Sequence, residues 1–229
     1  MKTLWQTLIR LGFRLLYYEL AWIYDLVSWL VSLGEWRGWQ QAALPFVNGR
    51  FILEIGHGPG HLLLELSQTG KQVVGLDLSP HMGRLARRRL RRAGVVALLV
   101  RGNVQVLPLQ TAVFDTVLST FPTDYVVHPE TLLAVHRVLK ENGRFVIVPE
   151  GHLTGTGLLH RFIHWLFWIT GQRSGPFALD ENHTWPDAVI WEPFRRRFAA
   201  AGFTVAVHHV QRPRSGVTVI VAEKTNIES

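Results

Sequence analysis

The chain has 229 residues, 48% hydrophobic and 18% charged, enough for one full core and too apolar for intrinsic disorder. It contains no cysteine, which removes disulfide frameworks, thiolate metal sites, iron–sulfur clusters and cysteine nucleophiles together. Lysine and arginine total 24 against 17 acidic residues, and the net charge of +7 favours anionic partners: nucleic acid, acidic lipid surfaces or anionic small molecules.

Residues 1–33 are strongly apolar but interrupted by Arg10, Arg14, Glu19 and Asp25, so they do not read as a membrane span, and without a small-residue cleavage site after a compact apolar core they do not read as a signal peptide. Polar positions recur at helical spacing: Thr3, Thr7, Arg10 and Arg14, then Asp25, Ser28, Ser32 and Glu35. This predicts two helices with a bend near Tyr17–Leu20. Trp5, Trp22, Trp29, Trp36 and Trp39 crowd the same stretch, and amphipathic rings of this kind favour interfaces. Two readings stand for residues 1–20. They either cap the core or lie on a membrane with Lys2, Arg10 and Arg14 toward anionic head groups. For residues 21–45 the core cap is the preferred reading. Residues 1–45 are set apart as a helical segment preceding a domain at 46–229.

From residue 50 the chain alternates strand and helix. Phe51–Ile55 is a strand and His61–Ser67 a helix; Val73–Leu76 is the next strand. Ser79 and Pro80 are the N-cap and first residue of a helix to Ala93, with Gly94 past its end. Strands follow at Val95–Val100 and Phe114–Ser119, a helix from Pro129 to Glu141, and a strand at Arg144–Val148. A helix at Phe194–Ala201 precedes strands Phe203–Val210 and Gly216–Ala222. Alternation of this kind predicts an α/β fold with a mostly parallel sheet. The last two strands share a helix-free turn, Pro213–Gly216, so they pair antiparallel, with the final strand beside the fifth.

The chemistry concentrates in residues 51–62, Phe-Ile-Leu-Glu-Ile-Gly-His-Gly-Pro-Gly-His-Leu. A buried strand runs into three alternating glycines and then a helix. Gly56, Gly58 and Gly60 let the backbone turn tightly and approach a ligand, and the following helix start offers free N–H groups to an anion. The spacing G-x-G-x-G departs from the dinucleotide fingerprint G-x-G-x-x-G, because its last position is His61. No Gly-Lys-Ser/Thr follows, which excludes a P-loop. Asp77 ends the second strand, where a carboxylate can accept from both hydroxyls of a ribose.

Together these residues resemble a class I S-adenosylmethionine-dependent methyltransferase. Glu54-Ile-Gly-His-Gly-Pro-Gly60 resembles the family's first motif, and Asp77 matches its ribose-binding acid. Gly102-Asn103-Val-Gln-Val-Leu-Pro108 resembles its adenine-holding segment, with Asn103 where Asp is usual. Phe114–Ser119 resembles the fourth strand, and His128 to Gly143 the following helix and turn. The resemblance implies a Rossmann-like, seven-stranded, mostly parallel sheet with the last strand antiparallel and helices on both faces. It also implies a cofactor, S-adenosylmethionine, held by Glu54, Gly56, His57, Gly58, Gly60, Asp77, Leu78, Met82, Gly102, Asn103, Val104, Ser119, Thr120 and Phe121. The similar branch contains quinone-biosynthesis C-methyltransferases and bacterial phospholipid N-methyltransferases, since Tyr24-Asp-Leu-Val-Ser-Trp resembles the segment that folds over the cofactor there.

Methyl transfer from a sulfonium needs alignment and water exclusion more than covalent help. A base is needed only if the acceptor must lose a proton, and none is assigned. Tyr24, Tyr125, His160, His164 and Trp165 are acceptor-side candidates. His160 and His164 share a helical spacing, but no third ligand accompanies them, so no metal site is expected. Residues 150–190 form a substrate-side insertion, and its apolar stretch Gly157–Thr170 is too short to span a bilayer. The acceptor expected is small and lipophilic: a quinone precursor, a phospholipid or similar. RNA or protein methylation and a non-catalytic binding role are the alternatives. Ser119-Thr-Phe-Pro-Thr-Asp-Tyr125 lacks the Asn/Asp-Pro-Pro-Tyr motif of nucleic-acid amine methyltransferases, which argues against nucleic acid. A cytoplasmic protein is expected; residues 1–20 and 157–170 either dock it peripherally on an anionic membrane, with the arginines of 84–92, or pack on each other and close the acceptor pocket.

Overall fold

The computed structural model describes residues 32–153 and 188–225. The strands are β1 (Phe51–Ile55), β2 (Gln72–Asp77), β3 (Leu98–Arg101), β4 (Phe114–Thr120), β5 (Leu139–Val148), β6 (Gly151–Leu153), β7 (Phe203–Arg212) and β8 (Ser215–Lys224). The helices are α1 (Trp36–Gln41), α2 (His61–Gln68), α3 (Pro80–Arg92), α4 (Pro129–Val138) and α5 (Ala188–Ala200). Strands β3, β2, β1, β4 and β5 lie side by side and parallel. β8 is antiparallel to β5, and β7 pairs antiparallel along the whole of β8 through a turn at Pro213–Arg214. The expected antiparallel insertion of the final strand is therefore present.

The short β6 accounts for an eighth strand beyond the seven expected. It pairs with β8 at Ser215–Val217, on the same edge that β5 occupies at Ile220–Glu223. β6 thus continues the line of β5 after a one-residue slip at Pro149–Glu150. Proline has no N–H to give the ladder, and a bulge is where a sheet tolerates it. The Glu150 carbonyl instead accepts from Thr218 N–H at 3.3 Å.

Local chemistry explains most element ends. The Ser79 hydroxyl accepts from Met82 N–H at 3.4 Å and Pro80 is the first residue of α3. Several boundaries differ from expectation: α5 starts at Ala188 rather than Phe194 and β5 at Leu139 rather than Arg144, and two of the differences have a visible cause. The helix expected to reach Glu141 ends at Val138, because the sheet captures its last residues: Val113 N–H donates to the Val138 carbonyl at 2.9 Å and Leu139 pairs with Phe114. Asn142, at φ 59°, then forms an irregularity inside β5 rather than a turn before it. β3 starts at Leu98 rather than Val95, since only from there does β2 offer a partner.

Two cores flank the sheet. Leu132, Val135, Val138 and Phe198 from α4 and α5 pack on one face. Trp39 of α1, Ala43 just after it, and Leu62 and Leu66 of α2 pack on the other. Ile52–Ile55 of β1 and Phe145–Val148 of β5 are buried on both faces. The carboxyl ends of the parallel strands therefore converge on one edge, where a ligand crevice forms in open α/β sheets.

Candidate active site

The glycine loop leaves β1 at that edge. Gly56 N–H donates to the Leu76 carbonyl at 2.7 Å, which ties the loop to β2. Asp77 then grips both sides of the crevice. Its Oδ2 accepts from Gly58 N–H at 2.9 Å and its Oδ1 from Ser79 N–H at 2.8 Å. The residue expected to meet a ribose thus also fixes the loop and the start of α3. Each carboxylate oxygen keeps a further lone pair for a ligand.

Two glycines do different jobs. At Gly60 an added Cβ would come within 2.7 Å of the Ala86 Cβ, so its absence lets α2 and α3 approach each other. At Gly58 nothing lies within 4 Å of the same added atom. The space there is open, and with φ at 53° the backbone is in the left-handed region. This open cradle beside Asp77 fits a nucleoside-bearing cofactor.

Glu54 sits below the loop with 1% of its surface exposed. Burial, and then the neighbouring Asp77 charge, push its carboxyl up to about 8. Its Oε2 has no hydrogen-bond partner among the described residues. A buried carboxyl in that state is prepared to receive a cation. His57 is buried too, with Nδ1 2.7 Å from the Gly58 carbonyl oxygen, so Nδ1 carries the proton. Burial pushes its ring below the ordinary imidazole value, against the opposing pull of Asp77. The ring lies under the loop against Gly75.

The adenine-side candidates gather at the ends of β2 and β3. Gly102 N–H donates to the Asp77 carbonyl at 3.2 Å. Asn103 caps a short 3-10 turn: its Oδ1 accepts from Gln105 N–H at 3.0 Å, and its Nδ2 donates to the Gln105 side chain at 3.3 Å. Leu78 is 56% exposed beside Asp77, whereas Val104 turns inward to the core. Met82 is 1% exposed, so its side chain packs inward.

At the ends of β4 and β5 a second group forms. The Tyr125 hydroxyl lies 3.3 Å from Ser119 Oγ and directly over Gly56. Ser119 Oγ also donates to the Ile55 carbonyl at 3.2 Å. Phe121 N–H donates to the Val148 carbonyl at 2.7 Å, and its ring stacks on Trp36 at 4.0 Å. Trp39 packs beside both, with its ring against Gly151. Gln40 donates to Thr120 Oγ1 at 3.3 Å. Sequence reading did not single out Trp36, Trp39 and Gln40 as site residues; their i, i+3, i+4 spacing on one helix was the available signal. It also missed Glu150, at the β5–β6 break, whose carboxyl burial raises to about 7. Tyr24, His160, His164 and Trp165 lie outside the described residues.

Residues 53–147 match the methyltransferase domain family. Over 201 residues the chain is 30% identical to a demethylmenaquinone methyltransferase of Thermus thermophilus, covering 82% of this chain and 90% of that protein. It is 35% identical over 174 residues to an uncharacterized methyltransferase of Synechocystis, covering 68% and 71% respectively. Among solved structures, a putative S-adenosylmethionine-dependent methyltransferase of Methanococcus maripaludis superposes with a TM-score of 0.60 at 19% identity, covering 91% of this chain and 92% of that one.

Proposed function

We propose that this chain, which belongs to the S-adenosylmethionine-dependent methyltransferase family, methylates a small lipophilic acceptor of the quinone-precursor or phospholipid class. Family membership carries the activity and the cofactor; the acceptor and the individual residue roles are the proposal. The observation that carries the acceptor reading is the aromatic cover of Trp36, Trp39 and Phe121 over the ends of β4 and β5. Such a wall excludes water and favours an apolar, planar group. The related demethylmenaquinone methyltransferase supports the same acceptor chemistry.

When bound, S-adenosylmethionine supplies a methyl group already activated by a sulfonium charge. The chain's residues then have holding roles. Asp77 accepts from the ribose hydroxyls while keeping the bonds to Gly58 and Ser79 that shape the loop. Glu54 takes the cationic amino end, and the open space at Gly58 admits the ligand backbone. Leu78 and the Gly102–Val104 segment border the adenine. Tyr125, held by Ser119 above Gly56, would border the bound cofactor. Alignment of acceptor and methyl in a dry pocket is the catalytic contribution.

The test is methyl transfer from isotopically labelled cofactor into a lipid extract, with mass spectrometry of the product. A labelled lipid-soluble product is expected. Label confined to RNA or protein would refute the acceptor reading and leave the family assignment intact. The partner reading is an anionic membrane surface, supported by the charge of +7 and the arginines of α3. Its other proposed elements, residues 1–20 and 157–170, lie outside the described residues. Among the described residues no helix is long and apolar enough to cross a membrane.

A further inference from the structure

The solvent side of α3 has a single chemistry. Met82, Ala86 and Leu90 face the core. The exposed positions from 84 to 92 are Arg84, Arg87, Arg88, Arg91 and Arg92. Steps of three and four residues put them on one stripe of the helix. α3 contains no acidic residue. Among the described residues no carboxylate pairs with Arg87, Arg88, Arg91 or Arg92. Arg84 shares a hydrogen bond with His81 at 2.7 Å, and Arg89, off the stripe, donates to the Pro59 carbonyl.

Helix stability does not explain this stripe. Cations in the last turn oppose the helix dipole, which accounts for Arg89, Arg91 and Arg92 alone. Arg84, Arg87 and Arg88 gain nothing there, and like charges at these spacings repel. The stripe runs on into exposed apolar residues. Val96 is 97% exposed after the last turn, and Leu98 is 60% exposed at the start of β3. β3 is the edge of the sheet. Unpaired cations beside exposed aliphatic side chains suit the boundary between phosphate head groups and acyl chains. The α3 stripe, Val96 and Leu98 supply no aromatic ring on which a nucleic-acid base could stack.

We propose that the α3 stripe, with Val96 and Leu98, docks the β3 edge of this protein on an anionic phospholipid surface. This rests on the reading of a membrane partner and assigns that partner a face among the described residues. The N-cap of α3, Ser79, is two residues beyond Asp77, so the docked face adjoins the cofactor side of the crevice.

The test is flotation of the full chain with vesicles of phosphatidylcholine alone or mixed with phosphatidylglycerol, at low and high salt. Each arginine near such a surface is worth roughly fivefold in affinity, so Arg87→Gln/Arg91→Gln/Arg92→Gln lowers binding about a hundredfold at low salt. Val96→Ser/Leu98→Ser lowers the binding that persists at high salt, where charge is screened. Cofactor affinity, melting temperature and methyl transfer in detergent stay unchanged in both variants. Wild-type binding to the anionic vesicles retained by the triple variant overturns this face while leaving the membrane reading. No wild-type binding at low salt removes both. Release of the wild type from vesicles by single-stranded RNA at equal phosphate concentration overturns the lipid in favour of nucleic acid.

Discussion

Replacing Glu54 by glutamine tests the electrostatics of the crevice. The side chain is buried in β1 beside Asp77, and its carboxyl is raised from 4.5 to about 8. A carboxyl whose folded value is raised contributes full stability below its unfolded value and loses it as pH rises through the folded one. The window is therefore pH 4.5 to 8. At about 1.4 kcal/mol per pH unit, wild type loses at most about 5 kcal/mol across it, a large share of a domain's total of about 5–15 kcal/mol. Glutamine is nearly isosteric and does not ionise. Its extra N–H₂ adds a pH-independent cost of about 1–3 kcal/mol if left unpaired, so the slope is the readout rather than the offset. Urea unfolding of both proteins without cofactor, from pH 5 to 8.5, measures it. The stability of Glu54→Gln relative to wild type should rise with pH by a few kcal/mol and level off above 8. Calorimetry supplies a second arm. A bound cation favours the carboxylate, so wild-type affinity for S-adenosylmethionine should rise from pH 5 to about 7, below where an α-amino group itself loses its charge, and the variant's should stay low and flat. Parallel stability curves together with equal cofactor affinities would refute both the buried-acid and the cation-holding arguments.

The two loop glycines should separate fold from function. Gly58→Ala meets open space and costs about 1–2 kcal/mol from its left-handed backbone, but should reduce cofactor affinity at least tenfold. Gly60→Ala strikes Ala86 and should cost about 3 kcal/mol or more in stability; urea unfolding with calorimetry checks the pair, and the reverse ranking would contradict the assignment. Asp77→Ala removes the acceptor for Gly58 and Ser79 as well as for a ribose, so calorimetry should show cofactor affinity down about 10–100-fold. Asp115 accepts from Arg50 and Phe51 N–H at 2.8 Å each and from Lys140 at 2.7 Å. Burial raises its carboxyl, but those three donors outweigh burial and hold it below the ordinary 3.8. Its contribution is therefore lost as pH falls below that value, and Asp115→Ala should cost about 1–2 kcal/mol at neutral pH, with a smaller difference in acid unfolding.

The residues that carry short-range chemistry were legible in the sequence alone. Alternating strands and helices implied the parallel sheet, and the Pro213 turn implied the antiparallel final pair, because hydrogen-bond periodicity and turn geometry are properties of a few adjacent residues. The glycine loop and Asp77 were legible for the same reason: tight turns and a strand-end acid are written in consecutive letters. Element ends that depend on a distant partner were not. Val138 ends α4 because β4 captures Leu139, and Pro149 breaks the line of β5 only because β8 lies alongside. The cover over the ends of β4 and β5 was hidden most of all. Gln40 reaches Thr120 across 80 residues, and Glu35 accepts from Ser215 across 180. Trp36 stacks on Phe121 only once the sheet brings α1 over β4. The raised carboxyls of Glu54 and Glu150 follow from burial, which no local window encodes. Backbone chemistry is decided between neighbours in the chain, whereas desolvation and ring packing are decided by whichever residues the closed core brings together.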